Sequence, residues 1–426
     1  MPEVRWLMEH CDREDPRYLN EYGDYDALRK TFDKDSAAVI EDMKSAGVRG
    51  RGGAGFPAGL KWSFVPQNVD KPKYLCCNAD ESEPGTFKDR VLMEKDPHIL
   101  LEGIAICCYA VGIGTAYIYI RGEYPIAARI LDKAIAEAKE KNLLGKNIMD
   151  KGFDLEIYVH RGAGAYICGE ETGLLESLEG KRGHPRIKPP FPALIGLFGC
   201  PTVINNVETL AAATLVMRHG PERYKSVGTE KSPGTKMFSV SGHVKKPGVY
   251  EIPLGTPVKE LIYDICGGPL RDDSPIQCVI PGGSSAPPLT PEVAMELTLD
   301  YEAIGAAGSM LGSGGMIVID ETVCLLDVLY NMTRFYADES CGQCTPCREG
   351  TSWLETMVHR IEHGEGTLED LDLLDEAATN MCGTTICVLS DSIAMPVRVF
   401  LKNFRHIFES HIEAKGCPHK MEMVSA

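Results

Sequence analysis

The stretch GIAICCYAVGIGTAYIYI, residues 103–120, separates two possible fold classes. Its eighteen residues carry no charge and are long enough to cross a membrane as one helix. However, Asp96-Pro97 is a helix start, Gly112 and Gly114 interrupt the apolar run, and residues 116–120 have the β-branched and aromatic character of a strand. The stretch is therefore predicted to be a buried helix followed by a buried strand, without membrane insertion.

Helix and strand patterns alternate on both sides of this stretch. Helices are predicted at residues 36–46, from Pro97 and at 125–141, and strands at 74–77, 116–120 and 155–159. Such alternation indicates an α/β domain with a parallel sheet. Each predicted strand is followed by a segment of glycine, polar and acidic residues, at 78–85, 121–123 and 161–171. These segments lie at the edge where open α/β sheets bind ligands.

The pattern changes after Ser232-Pro233-Gly234, which is typical of a linker. A hairpin at residues 237–242 and 249–252, a helix with Thr256 as N-cap and strands near 278–281 and 316–319 predict a small α+β module. From Leu325 the chain is predicted to be helical, with Thr367 as an N-cap. The predicted bundle core is the apolar stripe of Trp353, Leu354, Met357, Val358 and Ile361. The predicted domains are residues 1–232, 233–324 and 325–426.

Composition limits the environment and the partners. The chain has 426 residues, a net charge of −17 and sixteen cysteines. Residues 1–6 lack the apolar core of a signal peptide, so the thiols are expected to stay reduced in the cytoplasm. The acidic balance argues against nucleic acid or an anionic membrane surface as the main partner.

Three thiols spaced two residues apart, Cys341, Cys344 and Cys347, match the ligand spacing of an iron–sulfur cluster. A four-iron cluster needs a fourth thiolate, and either Cys382 or Cys387 can supply it from the segment that follows two predicted helices.

Two other interpretations of this cysteine run are a zinc finger and a set of buried thiols. Cys341, Cys344, His359 and His363 form C-x2-C-x14-H-x3-H, which lies within the zinc-finger range. The third cysteine and the acidic surroundings argue against a zinc finger. Buried thiols without a metal would have no reason to repeat at this spacing.

A glycine-rich stretch, GRGGAGFP at residues 50–57, contains G-x-G-x-x-G. A predicted helix precedes it, so the strand of a Rossmann fingerprint is absent. The loop can still hold a phosphate or a flat ring through backbone N–H groups, with Arg49, Arg51 and Lys61 as counter-charges. Without a ligand it would be a simple connection.

Acidic loops at residues 77–85 and 162–172 suit ribose hydroxyls and favour NAD over NADP. Arg182, Arg186 and Lys188, beside Phe191, form a local basic island for an anionic dinucleotide. The alternative for these segments is a set of solvated charged loops.

Taken together, these motifs closely resemble the NADH-binding flavoprotein subunit of respiratory complex I, the NADH:quinone oxidoreductase. The resemblance covers nearly the whole chain. It rests on residues 50–57 with Lys61-Trp62, on NADESEPG at 78–85, on GAYICGEET at 164–172, on NNVET at 205–209 and on the cysteine run.

The resemblance implies a Rossmann-like FMN domain, a ubiquitin-like β-grasp module and a C-terminal helical bundle that holds a [4Fe-4S] cluster. The FMN contacts it implies are Gly50, Gly52, Gly53, Lys61, Asn78, Asp80, Glu81, Tyr166, Gly169, Glu170, Asn205, Asn206 and Thr209. The NADH contacts it implies are Phe56, Phe64, Glu83, Glu171, Lys188 and Phe191. The cluster ligands it implies are Cys341, Cys344, Cys347 and Cys387, with Cys382 as a neighbour.

The function implied is NADH oxidation by hydride transfer to FMN, followed by one-electron transfer to the cluster. No side chain is required as a catalytic acid or base, because the chemistry belongs to the cofactors. The implied partners are a smaller thioredoxin-like [2Fe-2S] subunit and other peripheral-arm subunits, at the cytoplasmic side of the inner membrane. Two alternatives are the diaphorase subunit of an NAD-linked hydrogenase or formate dehydrogenase, and a zinc-stabilised binding module without redox activity.

Overall fold

The computed structural model of the protein describes residues 3–420; Met1, Pro2 and residues 421–426, which the N-terminal and domain predictions include, lie outside the described residues. The strands are β1 (Tyr74–Ala79), β2 (Thr115–Ile120), β3 (Glu156–Arg161), β4 (Thr202–Asn206), β5 (Thr235–Gly242), β6 (Gly248–Pro253), β7 (Ile276–Ile280) and β8 (Gly315–Asp320).

The α-helices are α1 (Leu19–Tyr22), α2 (Asp26–Phe32), α3 (Ser36–Ala46), α4 (Ala58–Ser63), α5 (Lys88–Lys95), α6 (Pro97–Val111), α7 (Pro125–Glu140), α8 (Glu171–Leu178), α9 (Val207–His219), α10 (Pro221–Lys225), α11 (Pro291–Ala294), α12 (Tyr301–Ala306), α13 (Leu325–Glu339), α14 (Thr345–Glu362), α15 (Leu368–Met381), α16 (Leu389–Asn403) and α17 (Arg405–Ala414). Short 3₁₀ turns lie at Ile148–Asp150, Tyr166–Gly169 and Leu197–Gly199, and a π-helix lies at Glu260–Ile265.

The first sheet is parallel and has the order β3-β2-β1-β4. Its centre confirms the prediction for residues 103–120, because the buried helix α6 leads through Gly112 into β2. The helix predicted at 36–46 is α3, so the glycine-rich loop does follow a helix. The strand order reverses between β1 and β4, and such a reversal opens a crevice at the carboxyl ends of the strands.

The second sheet is mixed and has the order β6-β5-β8-β7. Strands β5 and β6 form the predicted antiparallel hairpin, and β8 pairs with β5 in parallel. The prediction that Thr256 caps a helix is wrong. The Thr256 hydroxyl donates to the Pro253 carbonyl, and the helical segment that follows is the π-helix.

The third region is helical from Leu325, as predicted, and consists of α13 to α17. Leu354, Val358 and Ile361 are buried in its core. The prediction that Trp353 belongs to this core is wrong, since 60% of its surface is exposed. Thr367 is the N-cap of α15, and its backbone N–H donates to Asp370 in a capping box.

No helix within residues 3–420 is both long and apolar enough to cross a membrane. All sixteen cysteines lie in this part of the chain, and each is a free thiol.

Candidate functional site

A cavity of about 570 Å³ lies at the carboxyl edge of the parallel sheet, where β1 and β4 end. The loops after these strands form one wall. The second sheet adds Gly282, Ser285 and Ser313, and the start of α16 adds Leu389. The cavity therefore joins all three regions of the fold, at the edge where the sequence predicted a ligand.

Most of the predicted FMN residues line this cavity: Gly52, Gly53, Asn78, Asp80, Glu81, Tyr166, Gly169, Glu170 and Asn206. Asn78 Nδ2 donates to the Gly169 carbonyl over 2.8 Å, which ties the end of β1 to the segment after β3. The local sequence thus places polar groups from separate strands around one space.

Four predicted FMN residues stand behind the lining and support it. The Gly50 carbonyl accepts a hydrogen bond from the Tyr301 hydroxyl, and Thr209 Oγ1 accepts one from the Arg51 backbone N–H. Asn205 Oδ1 accepts from the Trp62 indole. Lys61 Nζ donates to the Ile204 carbonyl and pairs with Glu171.

Two glycines keep the 50–57 loop close to the strand ends. A Cβ on Gly52 would lie 3.0 Å from Asn206 Cβ, so a side chain there would push the loop away from β4. Gly53 has φ +135°, a conformation that L-residues rarely adopt. The loop therefore exposes backbone to the cavity at a position that only glycine fills without strain.

Buried charges lie beneath this loop. Glu208 lies among three cations: Lys88 at 2.7 Å, Lys236 at 3.8 Å and Arg51 at 3.9 Å, and Lys88 also pairs with Asp89 at 2.8 Å. Burial lowers the pKa of Lys236 to about 7. Burial acts against the charge of Glu208, but the three cations hold the pKa of its carboxyl below the usual value.

This group has three cationic side chains and two carboxylates. Arg51 Nε and Nη1 are buried and have no hydrogen-bond partner within the described residues. Arg51 and Lys88 both line the cavity. Two buried cations at the cavity wall, one of them with unused donors, fit the phosphate of a flavin mononucleotide.

Two acids from the loop after β1 face the cavity from another side. Burial raises the pKa of Asp80 to about 7, and its Oδ2 atom has no hydrogen-bond partner in residues 3–420. Glu83 accepts hydrogen bonds from the Tyr166 hydroxyl and the Ser285 backbone N–H, both at 2.7 Å. Asp80 thus retains an unused acceptor for a ligand.

The predicted NADH residues lie mostly outside this cavity, and only Glu83 lines it. Phe56, Phe64 and Phe191 are 43%, 51% and 56% exposed, and the rings of Phe56 and Phe64 lie 6.1 Å apart.

Lys188 links this outer group to the cavity, because its Nζ contacts both Glu170 and Glu171 at 3.1 Å. Lys61 contacts Glu171 at 3.2 Å from the other side.

The predicted cluster cysteines surround a second, smaller cavity, lined by Cys341, Cys344, Cys347 and Cys387 together with Ile167 and other apolar groups. Among the described residues, no three of these sulfurs lie within 4.8 Å of one another. The four thiols are therefore not gathered around the position of one ion. Four thiols around one space are the ligand set that a four-iron cluster requires. Cys382 does not line the cavity, and its thiol donates to the Ala378 carbonyl.

The zinc-finger pattern is not assembled. The rings of His359 and His363 stack on each other at 4.0 Å and pack edge-on against Tyr330. Neither ring lines the cavity that Cys341 and Cys344 line.

The two cavities share a wall. Ile167, Cys387 and Leu389 line both of them, so one of the four cysteines also borders the larger cavity.

Sequence reasoning missed several lining residues. Lys88 and Asp89 lie three and four residues after the end of the acidic loop at 77–85, and that proximity was an available signal. Met310, Gly312 and Ser313 come from the second sheet region and carried no motif.

Comparison with known proteins agrees with this geometry. Residues 43–215 match the family model of the Nuo51 FMN-binding domain, residues 237–288 match the SLBB domain, and residues 327–411 match the NADH-ubiquinone oxidoreductase-F iron-sulfur binding region.

Two curated relatives match over nearly the full chain, and both are F subunits of an NADH-quinone oxidoreductase. The one of Rhizobium meliloti (strain 1021), numbered F 2, is 51% identical, and the match covers 97% of this chain and 98% of that protein. The one of Streptomyces coelicolor is 50% identical, over 92% of this chain and 87% of the relative.

A solved structure, an NAD+-reducing [NiFe]-hydrogenase in the air-oxidised state, superimposes with a TM-score of 0.82 at 36% identity. The match covers 91% of this chain, which spans 65% of the hydrogenase chain. The curated relatives match over a larger share of their own length and at higher identity. The chain therefore belongs to the family of NADH-quinone oxidoreductase F subunits.

Proposed function

We propose that this chain oxidises NADH with a bound FMN and passes the electrons to a [4Fe-4S] cluster, as the electron-entry subunit of an NADH-quinone oxidoreductase. The observation that carries this proposal is the wall of Ile167, Cys387 and Leu389 shared by the two cavities. A cluster ligand that lines the flavin cavity leaves a short distance for electrons to cross.

The residues around the larger cavity fit FMN. Backbone N–H groups near Gly52 and Gly53, with Arg51 and Lys88, would hold the phosphate. Asn78, Asp80 and Glu170 would bind the polar groups of the flavin. When bound, FMN accepts two electrons from NADH and releases them one at a time.

NADH would enter beside the same cavity. Glu83 lines it, while Phe56, Phe64 and Phe191 offer exposed aromatic faces for the adenine ring. Glu171, held between Lys61 and Lys188, would accept a ribose hydroxyl. The role of these residues is placement of the dinucleotide against the flavin.

Cys341, Cys344, Cys347 and Cys387 would ligate the cluster. The second sheet would form a β-grasp module, and the last five helices would form a bundle around the cluster. The proposed domain limits are residues 1–232, 233–324 and 325–426. The three matched family regions fall within these limits, which supports them.

The proposed partners are a smaller thioredoxin-like [2Fe-2S] subunit and further peripheral-arm subunits, at the cytoplasmic face of the inner membrane. The relatives are each named as one subunit of an oxidoreductase, which supports assembly into a larger complex.

The test is an anaerobic NADH titration of the purified full chain, followed by visible absorbance and low-temperature EPR. Bleaching of the flavin together with a new cluster signal is the expected result. A protein that contains iron and acid-labile sulfide but no flavin would contradict the proposal.

A second function, the diaphorase subunit of an NAD-linked hydrogenase, is favoured by the structural match at a TM-score of 0.82. Purification of the native complex separates the two. A quinone-reducing membrane arm supports the first function, and a hydrogenase subunit supports the second.

A further inference from the structure

A second group of metal-ligand side chains lies apart from both cavities. Cys324, His411 and Cys417 are buried, and one ligand atom from each lies within 4.8 Å of the other two. No other group of three Cys, His, Asp or Glu ligand atoms within residues 3–420 is this compact. None of the three lines the smaller cavity around Cys341, Cys344, Cys347 and Cys387, called the cluster cavity below. None of them lines the larger cavity at the strand ends, called the flavin cavity below.

The three residues come from separate parts of the helical region. Cys324 immediately precedes α13, His411 lies in the last helix α17, and Cys417 follows that helix. Cys324 Sγ lies 3.3 Å from His411 Nε2. The group therefore joins the entry of the helical region to its last helix.

The imidazole of His411 is oriented as a metal ligand would be. Its Nδ1–H donates to the Ile407 carbonyl, one turn earlier in α17, over 2.7 Å. This bond leaves the Nε2 lone pair directed towards the Cys324 sulfur. Metal-binding histidines usually donate their other ring N–H to a carbonyl or carboxylate in this way.

Cys324 is placed where a thiolate would be stabilised. The backbone N–H groups of Leu326 and Asp327, at the start of α13, donate to the Cys324 sulfur. Backbone donors to sulfur and the positive end of a fifteen-residue helix both favour negative charge on the sulfur.

We propose that Cys324, His411 and Cys417 bind one Zn²⁺ ion. Two thiolates and one neutral imidazole balance the charge of the ion, and binding releases the two thiol protons to solvent. Sulfur and nitrogen ligands in a compact buried set favour zinc over magnesium or calcium, which take oxygen ligands. A water molecule would complete the tetrahedron.

The ion would hold the C-terminal segment against the start of the helical region. Two nearby contacts act in the same place: His419 Nε2 donates to the Glu321 carbonyl at 3.0 Å, and Lys420 Nζ pairs with Glu362 at 2.6 Å. The role is structural, because no described atom of the group lines the cavities proposed for electron transfer.

The test uses the full chain, purified anaerobically without chelators and with its cluster intact. Elemental analysis should give about one zinc per chain beside about four iron atoms. Zinc K-edge absorption of the wild type should show two sulfur neighbours and one imidazole nitrogen. Cys417→Ser and His411→Ala should each lose the zinc and keep the iron. Cys200→Ser, which changes a buried thiol elsewhere, should keep both.

Three outcomes would overturn the proposal. One is a chain with full iron and no zinc; another is a Cys324–Cys417 disulfide found by mass spectrometry. The third is zinc that survives Cys417→Ser but is lost from Cys341→Ser, which would mean that zinc had entered the cluster site. If the Cys417 and His411 variants do not fold, the absorption spectrum of the wild type decides alone.

Discussion

The Asp80 carboxyl faces the larger cavity. Its Oδ1 atom accepts a hydrogen bond from the Ser82 hydroxyl at 2.9 Å, and its Oδ2 atom has no partner in the described chain. Burial raises its pKa from 3.8 to about 7. Between these two values the folded protein holds a proton that the unfolded chain has released. Stability therefore falls as the pH rises from about 4 to about 7, and then levels off.

Asp80→Asn removes this ionisation. In the FMN-free protein we expect the variant to be more stable than the wild type at pH 8, by roughly 1–3 kcal/mol, with a smaller difference at pH 5. FMN affinity should fall, because the unused acceptor is lost. Urea unfolding at the two pH values and a fluorescence titration with FMN measure both effects. A variant that is less stable at pH 8 would show that burial does not dominate at Asp80.

Glu171 tests the choice between NADH and NADPH. Burial opposes its charge, but Lys61 and Lys188 hold the pKa of its carboxyl below the usual value, so it is ionised at neutral pH. A carboxylate at the ribose repels a 2′-phosphate. In Glu171→Gln that repulsion is removed and the two lysines become available to the phosphate.

We expect Glu171→Gln to raise the NADPH:NADH ratio of kcat/KM by about tenfold, measured with an artificial electron acceptor. Glu156→Gln is the control, because Glu156 also pairs with a lysine, Lys139, but neither residue lines the cavity. An equal ratio in all three proteins would exclude Glu171 from the ribose site.

At the scale of elements, the cluster cavity depends on two helix junctions. Cys344 immediately precedes α14, Cys387 lies between α15 and α16, and the Ile386 backbone N–H donates to Cys344 Sγ at 3.4 Å. The cysteines are thus held by helix ends, while the flavin cavity depends mainly on strand ends.

We therefore expect Cys344→Ser to abolish the iron–sulfur EPR signal while NADH still bleaches the flavin. Cys382→Ser, which changes a neighbouring thiol outside the cavity, should keep both signals. Anaerobic absorbance and EPR on both variants measure the result. Loss of flavin from a folded Cys344→Ser protein would mean that the two cofactor sites depend on each other.

Helices and strands were predicted correctly where the pattern of apolar residues and the position of a glycine or proline indicated the same boundary. α6 and β2 are nearly continuous apolar segments divided by Gly112, as buried elements of a parallel sheet are. Trp353 was misplaced because the buried positions 354, 358 and 361 define the face of α14. A residue one position earlier is rotated by about 100° towards solvent.

At the scale of the whole molecule, the sequence predicted the parts of the site that lie in local motifs. It did not predict the lining from Gly282, Ser285 and Ser313, because those residues reach the cavity only when the second sheet packs against the first. Glu83 shows this dependence, since its carboxylate accepts bonds from Tyr166 in one region and from Ser285 in another.

Gly283 lies at this junction and has φ +95°. A Cβ there would lie 2.5 Å from Glu83 Cγ, so Gly283→Ala should displace the Glu83 carboxylate from the cavity. Gly268→Ala is the matched control, because Gly268 has a similar φ of +88° but its Cβ would meet nothing closer than 3.8 Å. Both variants should lose about 1 kcal/mol or more of stability from backbone strain.

Only Gly283→Ala should also raise the KM for NADH, by roughly tenfold, because Glu83 is the proposed NADH contact that lines the cavity. Steady-state kinetics with an artificial acceptor, on variants shown to retain FMN, measure this difference. If both alanine variants change the KM equally, the effect is general strain. The small sheet would then support the cavity without positioning the acid that contacts the dinucleotide.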